Sequence, residues 1–259
     1  MADDSRVVYR ELAPPAALAP FVRALWDFAA APTQPPGSFV LPPDGGLSLA
    51  VVAEARPTLR LVGPRLRPLT VPVYPGAQIR GVRFRPHAAG ALLALAPADW
   101  VDRLDTAAGV EGALAELVAG AASVDAAREA VLAELAGRAA DAPAPDPAVG
   151  AAIDAVEAAG GRCTVGHMAE RAAVGVRTLQ RRFRRATGLS PKPYARLRRF
   201  LLAAGNVLRA DPHAWGRVAI EHGYADQAHF VRECVAMTGM TPSAFAERSL
   251  SIEHIGVAP

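Results

Sequence analysis

Arg177, Gln180, Arg181 and Arg184 are separated by three, one and three residues, so all four side chains share one face of a helix. A guanidinium fork matches the two acceptors on a guanine edge, and a glutamine amide matches the donor and acceptor on an adenine edge. Such a helix carries what is needed to read base pairs from a major groove. Arg182 and Arg185 flank this face and, with Arg184, are candidates for phosphate contacts. Gln227, Ala228, Val231 and Arg232 form a second set on one helical face, with His229 as a further phosphate candidate. Asp226, just ahead of them, suits a helix N-cap better than a base contact.

The segments around these sets repeat. A short helix over 165–172 precedes the turn Ala173-Val174-Gly175, and a helix over 176–186 turns Leu179, Phe183 and Ala186 inward. A second short helix over 215–221 precedes His222-Gly223-Tyr224, and a helix over 226–237 turns Phe230 and Cys234 inward. The copies close on Thr187-Gly188-Leu189-Ser190-Pro191 and Thr238-Gly239-Met240-Thr241-Pro242, where Gly ends one helix and Pro opens the next. Between them, 192–210 carries an apolar stripe of Leu197, Leu201, Ala204 and Leu208. A helix of that length is a rod of roughly 30 Å, close to the spacing of about 34 Å between successive major grooves. One chain could thus span two grooves.

Charge follows the same division. Residues 1–147 hold 13 Lys and Arg against 16 Asp and Glu, a net of −3, while residues 148–259 hold 15 against 9, a net of +6. From Arg171 to Arg199 there are ten basic residues and no acid, which points to a polyanionic partner.

The first half reads differently. Candidate strands at 6–12, 21–28, 39–41 with 47–52, 59–62, 69–73 and 78–84 are separated by Pro- and Gly-rich turns, the pattern of a small β-barrel, cupin-like domain or sandwich. Helices are expected over 88–95, 110–119 and 124–139, the last two with Leu114, Leu117, Val131, Leu132 and Leu135 for an internal core or a partner subunit. The run 141–147, with prolines at alternate positions, reads as a linker between domains 1–140 and 148–259. Trp26, Phe28 and Phe39, alongside Phe84 and Trp100, are candidates to line an effector cavity, and Arg83, Arg85 and His87 to grip an anionic ligand.

Other classes lose ground. No P-loop, Rossmann or Gly-Xaa-Ser-Xaa-Gly fingerprint is present, and no cofactor is expected. A cupin-type metal enzyme needs two or three histidines on neighbouring strands, and the first 147 residues contain only His87. Cys163 and Cys234 stand apart, so neither a disulfide framework nor a cysteine-rich zinc site is expected, and no metal site is assigned. That also argues against the methyl-accepting DNA repair regulators, which need four zinc-binding cysteines. Neither a membrane span nor a signal peptide is evident, and the expected location is the cytoplasm. An architectural or RNA-binding protein is disfavoured by the lack of basic tails and of an exposed aromatic sheet signature.

Residues 149–248 resemble the AraC/XylS family of bacterial transcription regulators. The resemblance is carried by Met168-Ala169, Thr178-Leu179-Gln180-Arg181-Arg182-Phe183, Thr187-Gly188, Ser190-Pro191 and Tyr194, then by Val218-Ala219, Gly223-Tyr224, Asp226-Gln227-Ala228-His229-Phe230, Arg232, Gly239, Thr241-Pro242 and Phe245. It implies two helix-turn-helix units on duplex DNA, with base contacts from Arg177, Gln180, Arg181, Gln227, Ala228 and Arg232. It also implies a non-enzymatic activator or repressor, with an unidentified small-molecule effector, RNA polymerase and a homodimer as possible partners. The chain departs from the family at Ala228 (usually serine), Cys234 (usually aromatic), and Val235 and Ala236 (usually basic). Ala19-Pro20-Phe21-Val22, Trp26, Leu41-Pro42-Pro43-Asp44-Gly45 and Gly81-Val82-Arg83-Phe84-Arg85-Pro86 are similar to the β-rich companion domain of some members, which implies a sensor.

Overall fold

A computed structural model of the chain describes residues 7–106, 112–209, 215–249 and 252–253. The strands read from the sequence are present as β1 (Val7–Leu12), β2 (Val22–Ala30), β3 (Gly37–Leu41), β4 (Ser48–Val52), β5 (Thr58–Val62), β6 (Leu69–Val73) and β7 (Gln78–Phe84). Two short additions were not foreseen, β8 (Leu104–Thr106) and β9 (Ile252–Glu253). The large sheet runs β8-β5-β4-β7-β2-β1-β9, antiparallel except where β9 joins β1, and β3 pairs with β6 in a separate ribbon.

Alternation along the strands gives the sheet two apolar faces. Leu25, Leu49, Val51, Leu59, Leu61, Val82 and Phe84 point to a helical layer. This layer comprises α1 (Ala89–Leu92), α2 (Gly112–Ala119) and α3 (Val124–Asp141), whose Leu114, Val131, Leu132 and Leu135 complete the core. The apolar surface of α2 and α3 is therefore used largely inside the chain, while Leu117 stays exposed. Residues 110 and 111 of the expected second helix lie outside the described residues. The expected helix over 88–95 shortens because Ala94 turns left-handed (φ 50°) and Pro97 follows. On the opposite face Val7, Phe28, Ala30 and Val73 form a smaller core, with Trp26, Phe39 and Ile79 packed around it.

Of the expected linker, only 142–146 lies outside helix. Asp141 ends α3, and Asp146 caps α4 (Pro147–Ala158) by accepting from Ala148 N at 3.0 Å and Val149 N at 3.3 Å, with Pro147 at the first helical position. There follow α5 (Val165–Arg171), α6 (Val176–Thr187), α7 (Pro191–Arg209), α8 (Trp215–Glu221), α9 (Gln227–Thr238) and α10 (Pro242–Ser249). Gly188 and Gly239 close α6 and α9 in the left-handed conformation at φ 77° and 72°. The expected end of the long helix at Ala210 lies outside the described residues, as does the side chain of Leu208.

The two halves share packing. Leu66 and Val101 of the first domain sit against the core formed by Val149, Ile153, Met168, Leu179, Phe183 and Tyr194. Gly45 lies so close to Tyr194 that a Cβ there would meet its ring at 2.8 Å. A Cβ on Gly188 would meet the Pro97 carbonyl oxygen at 2.7 Å. Among the described residues, the core of α8, α9 and α10 with Phe200 draws on no residue of the first domain. No helix among them is long and apolar enough to cross a membrane.

Candidate nucleic-acid interface

Two helix-turn-helix units present α6 and α9. In the first, Thr164 caps α5 by accepting from His167 N at 3.1 Å, and Ala173 makes the turn with a positive φ of 52°. Leu179 and Phe183 are fully buried beneath α6, and Phe183 meets Tyr194 edge-on at 5.4 Å. That burial fixes which face looks outward. Arg177, Gln180, Arg181, Arg184 and Arg185 are exposed, and none of their side chains has an ion-pair or hydrogen-bond partner among the described residues.

Other arginines of the same basic stretch are committed. Arg182, a phosphate candidate, donates instead through Nε and Nη2 to Asp146 at 2.7 and 2.6 Å. Burial works to raise the Asp146 carboxyl, but Arg182 and the capping N–H groups hold it below its usual value. Arg198 donates to Glu157 on α4 at 2.7 Å, and Arg196 and Arg199 both reach Glu233 on α9 at 3.2 Å. The run of basic residues therefore mixes an outward set with an inward one.

In the second unit Asp226 caps α9, accepting from His229 N at 2.6 Å. Gln227, Ala228 and Arg232 are exposed. His229 is half-buried, its ring edge-on to Tyr224 at 5.2 Å and its Nδ1 3.4 Å from Ala225 N, so it packs locally. Cys234 is buried with Trp215, Met237 and Phe245, and burial pushes its thiol up to about 11. A thiol so protonated is a poor nucleophile near neutral pH.

The residues assigned to an effector do not converge. Trp26 and Phe28 lie on one face of the large sheet, with Phe39 of the β3–β6 ribbon packed against them, whereas Phe84 and Trp100 belong to the core on the other face. Arg83 is held by Glu11, by Tyr9 Oη at 3.1 Å and by Asp44 at 3.1 Å. Arg85 is exposed and donates to Ala19 O at 2.8 Å. His87 lies against Gly150 of α4, and burial, then Arg85, lowers its pKa. A gap of about 10 Å³ between the domains, bordered by Arg23, Asp44, Arg83, Tyr194 and Arg198, has room for little more than a water. A larger groove of about 500 Å³ crosses α4 and α5, floored by Ala151, Ala155, Ala158 and Ala159 and far from the aromatic candidates in sequence. Among the described residues, no group of three His, Cys, Asp or Glu could hold a metal.

The sequence pattern had no access to Glu233 or Asp146 as partners of arginine. The one available signal was their placement, an acid within α9 and another just before Pro147.

Two exposed recognition helices on paired helix-turn-helix units define a DNA-binding protein. A helix-turn-helix domain model matches residues 168–248, which spans both units, and this part of the chain is a helix-turn-helix domain of the AraC type. Residues 10–104 match a domain of unknown function. No curated protein matches the chain. Solved structures similar to it include ToxT from Vibrio cholerae, at 7% identity and a TM-score of 0.43, covering 95% of this chain and 99% of that one. ToxT bound to (E)-4-(8-methylnaphthalen-1-yl)but-3-enoic acid aligns at 10% identity and a TM-score of 0.44, with 95% and 99% covered. Wild-type ToxT bound to an unsaturated fatty acid aligns at 7% and 0.41, with 93% and 94% covered.

Proposed function

We propose that the protein is a sequence-specific regulator that reads a bipartite DNA site with a single chain. Arg177, Gln180 and Arg181 read the first half-site from α6, and Gln227, Ala228 and Arg232 read the second from α9. Arg184 and Arg185 neutralise phosphates beside the first. The observation that carries this reading is the division of the arginines: those on the outer face of α6 are exposed and unpaired among the described residues, while Arg182, Arg196, Arg198 and Arg199 are tied to carboxylates. Unpaired guanidinium groups on an exposed helix leave their hydrogen bonds for a partner. The cytoplasm is the compartment this function requires.

The first domain controls the reader. Its support is the shared packing at Leu66, Val101, Gly45 and Gly188, which ties it to the first unit. A small effector acting on that domain would therefore be felt first at α6.

Selection of duplexes from a random pool with the intact chain tests the reading. Two conserved half-sites about one helical turn apart are expected. No preference over random duplex at moderate salt would refute it.

A further inference from the structure

Arg182 of α6 and Glu233 of α9 occupy equivalent places, each just ahead of the inward residue of its helix, Phe183 or Cys234. Their charges are opposite, and so are their partners. Arg182 reaches Asp146 at the domain junction. Glu233 turns toward the connecting helix, and its side chain is only 3% exposed. Its carboxylate accepts from Arg196 Nε at 3.2 Å, from Arg199 Nη2 at 3.2 Å and from Tyr224 Oη at 3.2 Å. The Arg199 guanidinium also lies over the Tyr224 ring, 4.4 Å from its centroid. Arg198, the neighbour of Arg199 on α7, is bound instead to Glu157 of the first unit.

A buried carboxylate is costly unless its partners are placed to compensate it, so this cluster favours one arrangement of α9 against α7. Apolar packing is less directional. In the second unit it also works through a smaller side chain at this point, since Cys234 stands where Phe183 joins α6 to Tyr194 in the first.

We propose that Glu233 is the positioning residue of the second recognition helix. Held by Arg196 and Arg199, it sets the angle and advance of α9 along α7, and so the single separation between half-sites that the chain accepts. This rests on reading α6 and α9 as the base-reading helices.

The intact protein and its Glu233→Gln variant, each used to select from a random pool, provide the test. The wild type should enrich one dominant separation. The variant should keep the first half-site, spread over separations about one base pair to either side, and bind the wild-type duplex about tenfold or more weakly. A role in stability alone would lower affinity and leave the preferred separation unchanged, and that result would overturn the proposal. A wild-type pool containing no bipartite motif would instead overturn the base-reading assignment, and the proposal with it. Should Glu233→Gln fail to fold, Arg196→Gln removes one half-exposed arm of the cluster. It should broaden the separation in the same way but less, and an unchanged separation there would count equally against the proposal.

Discussion

Phe183 in the first unit packs edge-on against Tyr194 at 5.4 Å, whereas the Cys234 thiol in the second lies 3.7 Å from Thr238 Oγ1 and shares its core with Phe245. The turns that follow are nevertheless alike. Thr187 Oγ1 donates to Phe183 O at 2.9 Å and accepts from Leu189 N at 3.1 Å, and Thr238 Oγ1 does the same with Cys234 O at 2.7 Å and Met240 N at 3.1 Å. The closing turn is set by hydrogen bonds that need one geometry, so both copies retain it. The packing beneath the helix can be met by different side chains, so it has diverged. Both units pack on α7, and the first leans on the other domain as well.

The largest expected effect tests that leaning. Gly188 and Gly239 both adopt positive φ, so alanine at either should cost about 1–2 kcal/mol from the left-handed conformation. A Cβ at Gly239 meets nothing within 4 Å, while at Gly188 it meets Pro97 backbone at 2.7 Å. Gly188→Ala should therefore lose distinctly more stability in denaturant titrations. Equal losses would mean that the first domain does not rest on this turn in solution.

Next come the base readers. Arg181→Ala and Arg232→Ala should each weaken specific binding by about 1–3 kcal/mol and relax one base position, in different half-sites. Arg185→Ala should weaken all sequences alike and reduce the salt slope by about 0.9. Binding measured against duplexes mutated in each half separates these outcomes. If Arg185→Ala relaxed a base position as strongly as Arg181→Ala, the faces of α6 would be wrongly assigned.

These local features were legible in the sequence because helices and turns advertise themselves through short-range spacing. The outward face of α6, the caps at Asp226, Gly188 and Gly239, and the strands of the first domain all follow from residues a few positions apart. The departures arise over longer range. Arg182 looked free because Asp146 is 36 residues away, and Arg196 and Arg199 because Glu233 is 37 and 34 residues away. A single-sign run shows that a stretch is basic, but not which of its guanidinium groups fold inward. Trp26, Phe28, Phe39, Phe84 and Trp100 share an aromatic character, yet they do not line one space: strand alternation turns Trp26 and Phe28 to one side of the sheet and Phe84 to the other, where Trp100 joins it from the turn after α1.

The core difference gives a third prediction. Cys234 is 1% exposed among Phe200, Trp215, Met237 and Phe245, so a larger ring has to displace neighbours. Cys234→Phe should cost about 1–3 kcal/mol of stability, as overpacked cores do. A rise in melting temperature would instead reveal a void, worth about 24 cal/mol for each Å³ filled.

The smallest effect is expected at Asp146, where the first unit meets the domain junction. Asparagine remains a good N-cap, so Asp146→Asn removes the charge facing Arg182 while keeping the cap of α4. The carboxyl is held below its ordinary value of 3.8 in the folded protein, and the unfolded chain therefore binds more protons between the two values. Its stabilisation is present above about 3.8 and is lost as pH falls through the folded value. Wild type should melt slightly higher than Asp146→Asn at neutral pH, and the gap should close on acidification through that window. Arg182, once released, can reach a phosphate, so the dependence of DNA affinity on salt should steepen by about 0.9. A steeper slope with unchanged base preference would show that Asp146 holds back one phosphate contact in the first unit. An unchanged slope would show that Arg182 serves only to seat α6 on the junction, as Glu233 is proposed to seat α9 on α7.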